Sequence, residues 1–141
     1  MPDAISNTSP LLYLYRIGGI DWLPELFDEI WTPTTVINEL YEGRQRGHDV
    51  PDPDIYTWLH VVDPQSTPSE WLSLGLGAGE LAAMALALER TIRLDLRDGR
   101  AYLLKGYIEL STGNANACAD LKKAKELGMT DADALLTGNC K

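Results

Sequence analysis

The pattern of apolar and polar positions over the first 90 residues predicts short strands and helices in turn. Three short apolar runs, each close to Pro, Gly or polar residues, predict β-strands at residues 4–6, 29–32 and 58–62. Helical patterns predict four helices at residues 11–17, 22–27, 36–42 and 80–89. An order of strand, helix, helix, strand, helix is typical of an α/β fold.

The pattern after residue 90 is mostly helical. Residues 91–96 predict one more strand, and helices are predicted at residues 100–111, 115–127 and 131–136. Gly113 and Gly128 separate these three helices, as glycines do when they end helices. No apolar run approaches the roughly 18 residues that a membrane-spanning helix needs, so we expect no membrane partner.

Charge is distributed unevenly along the chain. The formal net charge is −9; residues 1–90 contain 4 Arg, no Lys and 14 Asp+Glu, whereas residues 91–141 contain 8 Lys+Arg and 7 Asp+Glu. This acidic excess argues against a protein that coats nucleic acid through a generic basic surface. It is compatible with an enzyme that binds cations through clustered carboxylates. The change in composition also suggests two segments with different roles.

The two cysteines, Cys118 and Cys140, are too few for a disulfide framework and lack the spacing of metal ligands. The first ten residues contain no basic region before an apolar stretch, as a secretory signal would. We therefore expect a cytoplasmic protein with reduced thiols, and we interpret both cysteines as structural or incidental.

Five residues are candidates for a metal site at the ends of strands or the starts of helices. They are Asn7, Glu39, Glu80, Asp95 and Asp98. In an open α/β sheet, ligands bind at the carboxyl ends of the strands, and carboxylate oxygens there suit Mg²⁺ or Mn²⁺. The alternative for each acid is a solvated surface or helix-capping role, and Asp98 in particular is suited to cap the next helix.

Four stretches together resemble the PIN-domain family, in its small prokaryotic branch of predicted nucleic-acid-binding proteins. They are ISNTSPLL at residues 5–12, YRIGGIDWL at 15–23, PTTVINEL at 33–40 and LGAGELAAMALA at 76–87. The resemblance covers residues 4–95 and implies an α/β/α sandwich around a short parallel sheet. It also implies Mg²⁺- or Mn²⁺-dependent cleavage of single-stranded RNA, often by the toxin of a toxin–antitoxin pair.

The resemblance assigns roles to individual positions. Asn7, Glu39, Glu80 and Asp95 align with the four acidic sites of the family, and Thr8 and Ser9 align with the hydroxyl residues beside the first. Two departures matter. Asn7 replaces an Asp, and an amide oxygen can bind a metal but carries no charge. The family's fourth motif, a strand followed by Asp-Asp, is also reduced to LDLRD at residues 94–98, in which Asp98 is a possible substitute. The second and larger departure is that the further strand and Gly-Thr-rich segment with which the family continues are not found in the sequence that follows.

The C-terminal segment resembles a single tetratricopeptide repeat. Gly106, Tyr107, Gly113 and Ala124 occupy its characteristic small and aromatic positions. A single repeat cannot bury its own apolar face, so it would pack on the first segment or on a second copy in a homodimer. The predicted division is a PIN-like domain at residues 1–97 and a helical segment at 98–141, and a fusion or frameshift near residues 91–98 is a further explanation.

Two hypotheses of function follow. The first is a metal-dependent endoribonuclease in which Glu39, Glu80 and Asp95 are catalytic, Asn7 and Asp98 complete the metal site, and Thr8 and Ser9 contact the substrate. The second is a catalytically degenerate PIN-like protein that serves as a scaffold and binds a partner protein through its helical tail. The replacement of Asp by Asn7 and the missing end of the PIN pattern both motivate the second.

Overall fold

Three short parallel strands form the sheet. In the computed structural model, which describes residues 2–140, β1 is Ala4–Ile5, β2 is Ile30–Thr32 and β3 is Leu59–Val61. The strand order is β1-β2-β3, and both pairings are parallel. All three strands occur where the sequence predicts them, which confirms the α/β class of a PIN-like fold.

Seven α-helices are present in the described part of the chain, one for each predicted helix. They are α1 (Thr8–Arg16), α2 (Trp22–Leu26), α3 (Thr34–Gln45), α4 (Ala78–Leu94), α5 (Gly99–Thr112), α6 (Ala117–Glu126) and α7 (Asp131–Asn139). Short 3-10 turns occur at Pro53–Ile55 and Ser69–Leu74. Helix α1 begins at Thr8, earlier than the predicted start at residue 11. Pro10 therefore lies in its first turn, where its missing N–H costs no hydrogen bond.

The chain forms two compact units, and each unit is built from two separate stretches of the sequence. The first unit comprises the residues up to Ser66 together with Gly77–Leu86. Its core joins the sheet to the first three helices, through Leu11, Ile20, Leu23, Ile30, Val36 and Leu40. Val36 and Leu40 are four residues apart, so they lie on one face of α3 and bury it.

The second unit comprises Thr67–Leu76 and the chain from Ala87 onward. Helices α5 and α6 pack closely, since a Cβ at Gly106 would lie 2.7 Å from Cγ of the fully buried Leu121. Trp71, from the Ser69–Leu74 turn, is 2% exposed. The helical character of this part was predicted, while the boundary at residue 97 and the resemblance to a tetratricopeptide repeat stay predictions.

The strand predicted at residues 91–96 is wrong. Helix α4 continues to Leu94, and the N–H of Asp95 still donates to the carbonyl of Thr91 at 3.0 Å. The Thr91 hydroxyl donates to the carbonyl of Ala87 at 2.9 Å, so this β-branched residue is accommodated inside the helix. No Gly or Pro interrupts residues 80–98, and an established helix extends at low cost once it is nucleated.

The expectation of reduced thiols is also wrong in this structure, and of the two interpretations of the cysteines, structural or incidental, the structural one holds. Cys118 and Cys140 form a disulfide, with their Cα atoms 5.7 Å apart. Cys118 lies in the first turn of α6 and Cys140 directly follows α7. The two helices pack as neighbours and run back on each other around Gly128, which brings cysteines 22 residues apart within bonding distance.

Within residues 2–140, no helix is both long enough and apolar enough to cross a bilayer.

Candidate active site

The carboxyl ends of the strands lead directly into helix starts. Strand β1 leads through Ser6 and Asn7 into α1, and β2 leads through Pro33 into α3. Because the strands are parallel, these helix starts share one edge of the sheet. The buried Thr32 hydroxyl donates to the carbonyl of Ser6 at 2.9 Å and ties the two chain segments together at this edge.

Glu39, on α3, is the residue on which three segments of the first unit converge. Its Oε2 accepts a hydrogen bond from the hydroxyl of Thr8 at the start of α1. Its Oε1 accepts a hydrogen bond from the backbone N–H of Gly79 at the start of α4, at 2.9 Å. The side chain is half-buried. The carboxylate thus joins residues that are 31 positions upstream and 40 positions downstream of it.

Gly79 makes this approach possible because it has no side chain. A Cβ built on Gly79 would lie 2.7 Å from Oε2 and 2.8 Å from Oε1 of Glu39. Carbon and oxygen atoms that are not bonded do not come so close, so a larger residue would displace the carboxylate. Gly79 therefore has a specific role, which is to leave the space that the Glu39 carboxylate fills.

Glu80 follows Gly79 and is also half-buried. Its Oε2 accepts a hydrogen bond from the N–H of Gly77 at 3.1 Å. Glu80 is the third residue of α4 and Gly77 immediately precedes the helix, so this contact is the returning half of a capping box. Because its charge lies at the positive end of the helix dipole, Glu80 also stabilises α4.

Asn7, Thr8 and Ser9 differ in what they contact. Asn7 occupies the N-cap position of α1, yet its side chain makes no capping hydrogen bond. Its amide oxygen therefore keeps its capacity to bind a ligand. Thr8 is engaged with Glu39, whereas Ser9 is exposed in the first turn of α1.

Asp95 and Asp98 belong to the second unit, and their part in the site stays a prediction. Asp95 is exposed and accepts a hydrogen bond from the N–H of Arg97 at 2.8 Å. Asp98 caps α5, accepting from the N–H of Arg100 at 2.9 Å. The hydrogen bond from the Arg100 guanidinium lowers the pKa of Asp98. Asp98 therefore fills the capping role that the sequence analysis offered as its alternative.

The oxygen donors of the first unit bear on whether it can hold a divalent cation. Within residues 2–140, no group of three or more His, Cys, Asp or Glu side chains is arranged to hold a metal. Glu39 contacts Thr8 and Gly79, and Asn7 and Glu80 are the sequence neighbours of these two residues. Mg²⁺ commonly keeps several waters and binds one or two carboxylates together with substrate phosphates. Glu39, Glu80 and Asn7 supply oxygen donors of the kind that such a hydrated cation takes.

Sequence reasoning missed Asp63, which comes two residues after β3. Its carboxylate accepts hydrogen bonds from the N–H and the hydroxyl of Thr34, both at 2.8 Å. It therefore caps α3 at the same edge of the sheet as Asn7. The signal was available, because a carboxylate directly after a predicted parallel strand belongs at this edge.

Comparison with known proteins gives one match. A family model described as a PIN domain matches residues 3–131, which includes the helices up to the start of α7. No curated protein and no solved structure matches the chain significantly.

Proposed function

The chain belongs to the PIN-domain family, and from this premise we propose that it is a Mg²⁺- or Mn²⁺-dependent endoribonuclease that hydrolyses single-stranded RNA. Membership supports a nuclease-type function in general. The observation that supports the finer proposal is the convergence of Thr8, Glu39 and Gly79 beside Asn7 and Glu80. A further part of the proposal is that the enzyme is the toxin of a toxin–antitoxin pair.

The proposed roles follow from the donor atoms. Glu39 and Glu80 would hold the cation through carboxylate oxygens that keep unused lone pairs, and Asn7 would add a neutral amide oxygen. When bound, the cation would lower the pKa of an attacking water and stabilise negative charge on the phosphodiester. Thr8 holds Glu39 in place, and Ser9 is exposed and accessible to substrate. Asp95 and Asp98 remain proposed additional ligands.

RNA binding requires a source of positive charge, since residues 1–90 are strongly acidic. The bound cation would offset part of this charge. Lys122, Lys123 and Lys125 on α6 are the densest basic cluster in the sequence. We propose that they contact RNA phosphates, which would make binding weaken as salt concentration rises.

Cleavage of single-stranded RNA by the purified protein in Mg²⁺ tests the proposal. Glu39→Gln and Glu80→Gln should each lose activity, because the amide keeps the shape of the side chain but removes its charge. Glu42→Gln is the matched control, since Glu42 is an exposed acid of α3, the helix that carries Glu39, and its carboxylate pairs with Arg46. Cleavage by both site variants at the wild-type rate would contradict the site assignment.

Toxicity is tested separately. Induced expression of the wild-type protein should arrest growth of a bacterial host, and the Glu39→Gln variant should not. Unimpaired growth with the wild-type protein would contradict the toxin assignment but leave the nuclease proposal open to the cleavage assay. We also propose a cytoplasmic location and a homodimer, which cell fractionation and light scattering test.

A non-catalytic scaffold is the second candidate function, and two observations favour it. Glu39 and Glu80 both accept hydrogen bonds from backbone N–H groups around the start of α4, so capping alone would account for them. Asn7 also removes one charge from the site. Calorimetric titration with Mn²⁺ discriminates the two functions. Binding by the wild-type protein favours the enzyme, whereas binding only by Asn7→Asp favours a degenerate site.

A further inference from the structure

Gly77 and Gly79, near the start of α4, have different neighbours: Gly79 contacts the carboxylate of Glu39, whereas Gly77 contacts that of Glu80. We infer that Gly79 is a positioning residue, which determines where the Glu39 carboxylate lies by donating its N–H and by leaving the space that the carboxylate fills. Gly77 has no such role. The functional consequence rests on the proposed metal site, whereas the positioning itself rests on geometry alone.

The contact is tight on every atom of the carboxylate. A Cβ at residue 79 would lie 2.7 Å from Oε2, 2.8 Å from Oε1 and 2.9 Å from Cδ of Glu39. All three atoms are at the far end of a flexible side chain, and no backbone atom is as close. A side chain at residue 79 would therefore move the carboxylate and leave the backbone in place.

Displacement would remove both anchors of the carboxylate together. Oε1 is held by the Gly79 N–H at 2.9 Å, and Oε2 is held by the Thr8 hydroxyl. A carboxylate pushed away from α4 loses the first hydrogen bond and shifts relative to Thr8. Since removal of a group that orients a metal ligand typically weakens metal binding, the displaced carboxylate should bind a cation less well.

Gly77 provides the matched comparison. A Cβ on Gly77 would have its nearest neighbour, Oε2 of Glu80, at 3.9 Å, which is ordinary van der Waals contact. Its only polar contact with Glu80 uses the backbone N–H, which alanine retains. Neither glycine has a positive φ, so alanine is compatible with the backbone at both positions.

The experiment compares Gly79→Ala with Gly77→Ala, using Mn²⁺ as the calorimetric probe and thermal unfolding as the second readout. Gly79→Ala should bind Mn²⁺ roughly 10- to 100-fold more weakly, as substitutions beside metal ligands typically do. Its Tm should fall, because the lost hydrogen bonds of Glu39 outweigh the gain of alanine in helix propensity, and this fall should be absent in a Glu39→Ala background. Gly77→Ala should keep the wild-type Mn²⁺ affinity.

Two results would overturn the inference. One is an unchanged Mn²⁺ affinity in Gly79→Ala. The other is a loss of affinity together with a fall in Tm that is equally large in a Glu39→Ala background. Absence of Mn²⁺ binding in the wild type would contradict the proposed function only. The inference is then decided by NMR of the metal-free protein. The amide proton of Gly79 should shift when Glu39 is replaced by Ala, and an unshifted resonance would refute positioning.

Discussion

The carboxylate of Asp63 accepts hydrogen bonds from both the backbone N–H and the hydroxyl of Thr34, each at 2.8 Å. This pair joins the segment that follows β3 to the first residue of α3. Without it, the N–H of Thr34 would have no partner within its own helix, as is true of every helix N-terminus. The contact stabilises the start of the helix that carries Glu39.

Replacement of Asp63 by Ala should therefore destabilise the protein. The loss should be about 1 kcal/mol, the usual cost of removing a helix N-cap side chain. Asp63→Asn should lose less, because the amide oxygen still accepts one hydrogen bond although the charge is gone. Urea unfolding measures the difference. Asp49→Ala, at another exposed aspartate of the first unit, is the control and should leave the unfolding midpoint unchanged.

The close contact of Gly106 with Leu121 predicts that alanine is not tolerated between α5 and α6. A Cβ at Gly106 would lie 2.7 Å from Cγ and 2.8 Å from Cδ2 of Leu121, and 3.2 Å from the carbonyl oxygen of Ala117. Overpacking of this kind costs about 1–3 kcal/mol, which exceeds the gain in helix propensity. Gly106→Ala should lower Tm.

Gly138→Ala is the matched control for Gly106→Ala. Gly138 also lies within a helix, α7, but a Cβ there would meet nothing within 4 Å. Alanine should therefore stabilise α7 by up to about 1 kcal/mol. Equal changes in Tm for the two substitutions would show that packing at Gly106 is looser than the structure indicates.

Glu109 makes stability depend on pH. Its side chain is buried, and Oε2 has no hydrogen-bond partner within the described residues. Burial, followed by the hydrogen bond with Asp120, raises the pKa of Glu109 from 4.5 to about 7. Between these values the folded protein retains a proton that the unfolded chain has released. The free energy of unfolding should therefore fall as pH rises from 4.5 to 7, and this contribution should be constant above pH 7.

Glu109→Gln isolates this contribution, because glutamine is neutral at every pH. The variant should lack the fall between pH 4.5 and 7, although it also loses the 3.6 Å ion pair of Glu109 with Lys105. The ion pair of Lys105 with Asp120, at 2.7 Å, remains in both proteins. Urea unfolding at several pH values gives the two curves, and parallel curves would contradict the assignment to Glu109.

The disulfide predicts sensitivity of the C-terminal helices to reductants. Closing a loop between residues 22 positions apart stabilises a protein by about 3 kcal/mol in the chain-entropy account. A reductant, or the double substitution Cys118→Ser and Cys140→Ser, should lower Tm by similar amounts. Thiol titration of the unfolded, unreduced protein checks the bond directly. Two free thiols in the protein as purified would show that the pair is reduced.

The order and type of nearly every element could be predicted from local sequence patterns. Strand β3 and helix α3 follow from the local period of apolar residues, which acts over a few positions. The same local signals were ambiguous at Thr91, where β-branched residues suggested a strand but the helix continued. Nothing local opposes helix extension there, and a strand needs a neighbouring strand to pair with.

Contacts between side chains that are far apart in the sequence could not be predicted and are visible in the folded structure. The motifs containing Asn7, Glu39 and Glu80 were recognisable in the sequence, but the contact of Glu39 with Gly79 was not, since 40 residues separate them. The same holds for Asp63 with Thr34 and for Cys118 with Cys140. Local patterns determine whether each segment forms a helix or a strand. Contacts between segments depend on how the helices cross the sheet and each other, which no single segment encodes.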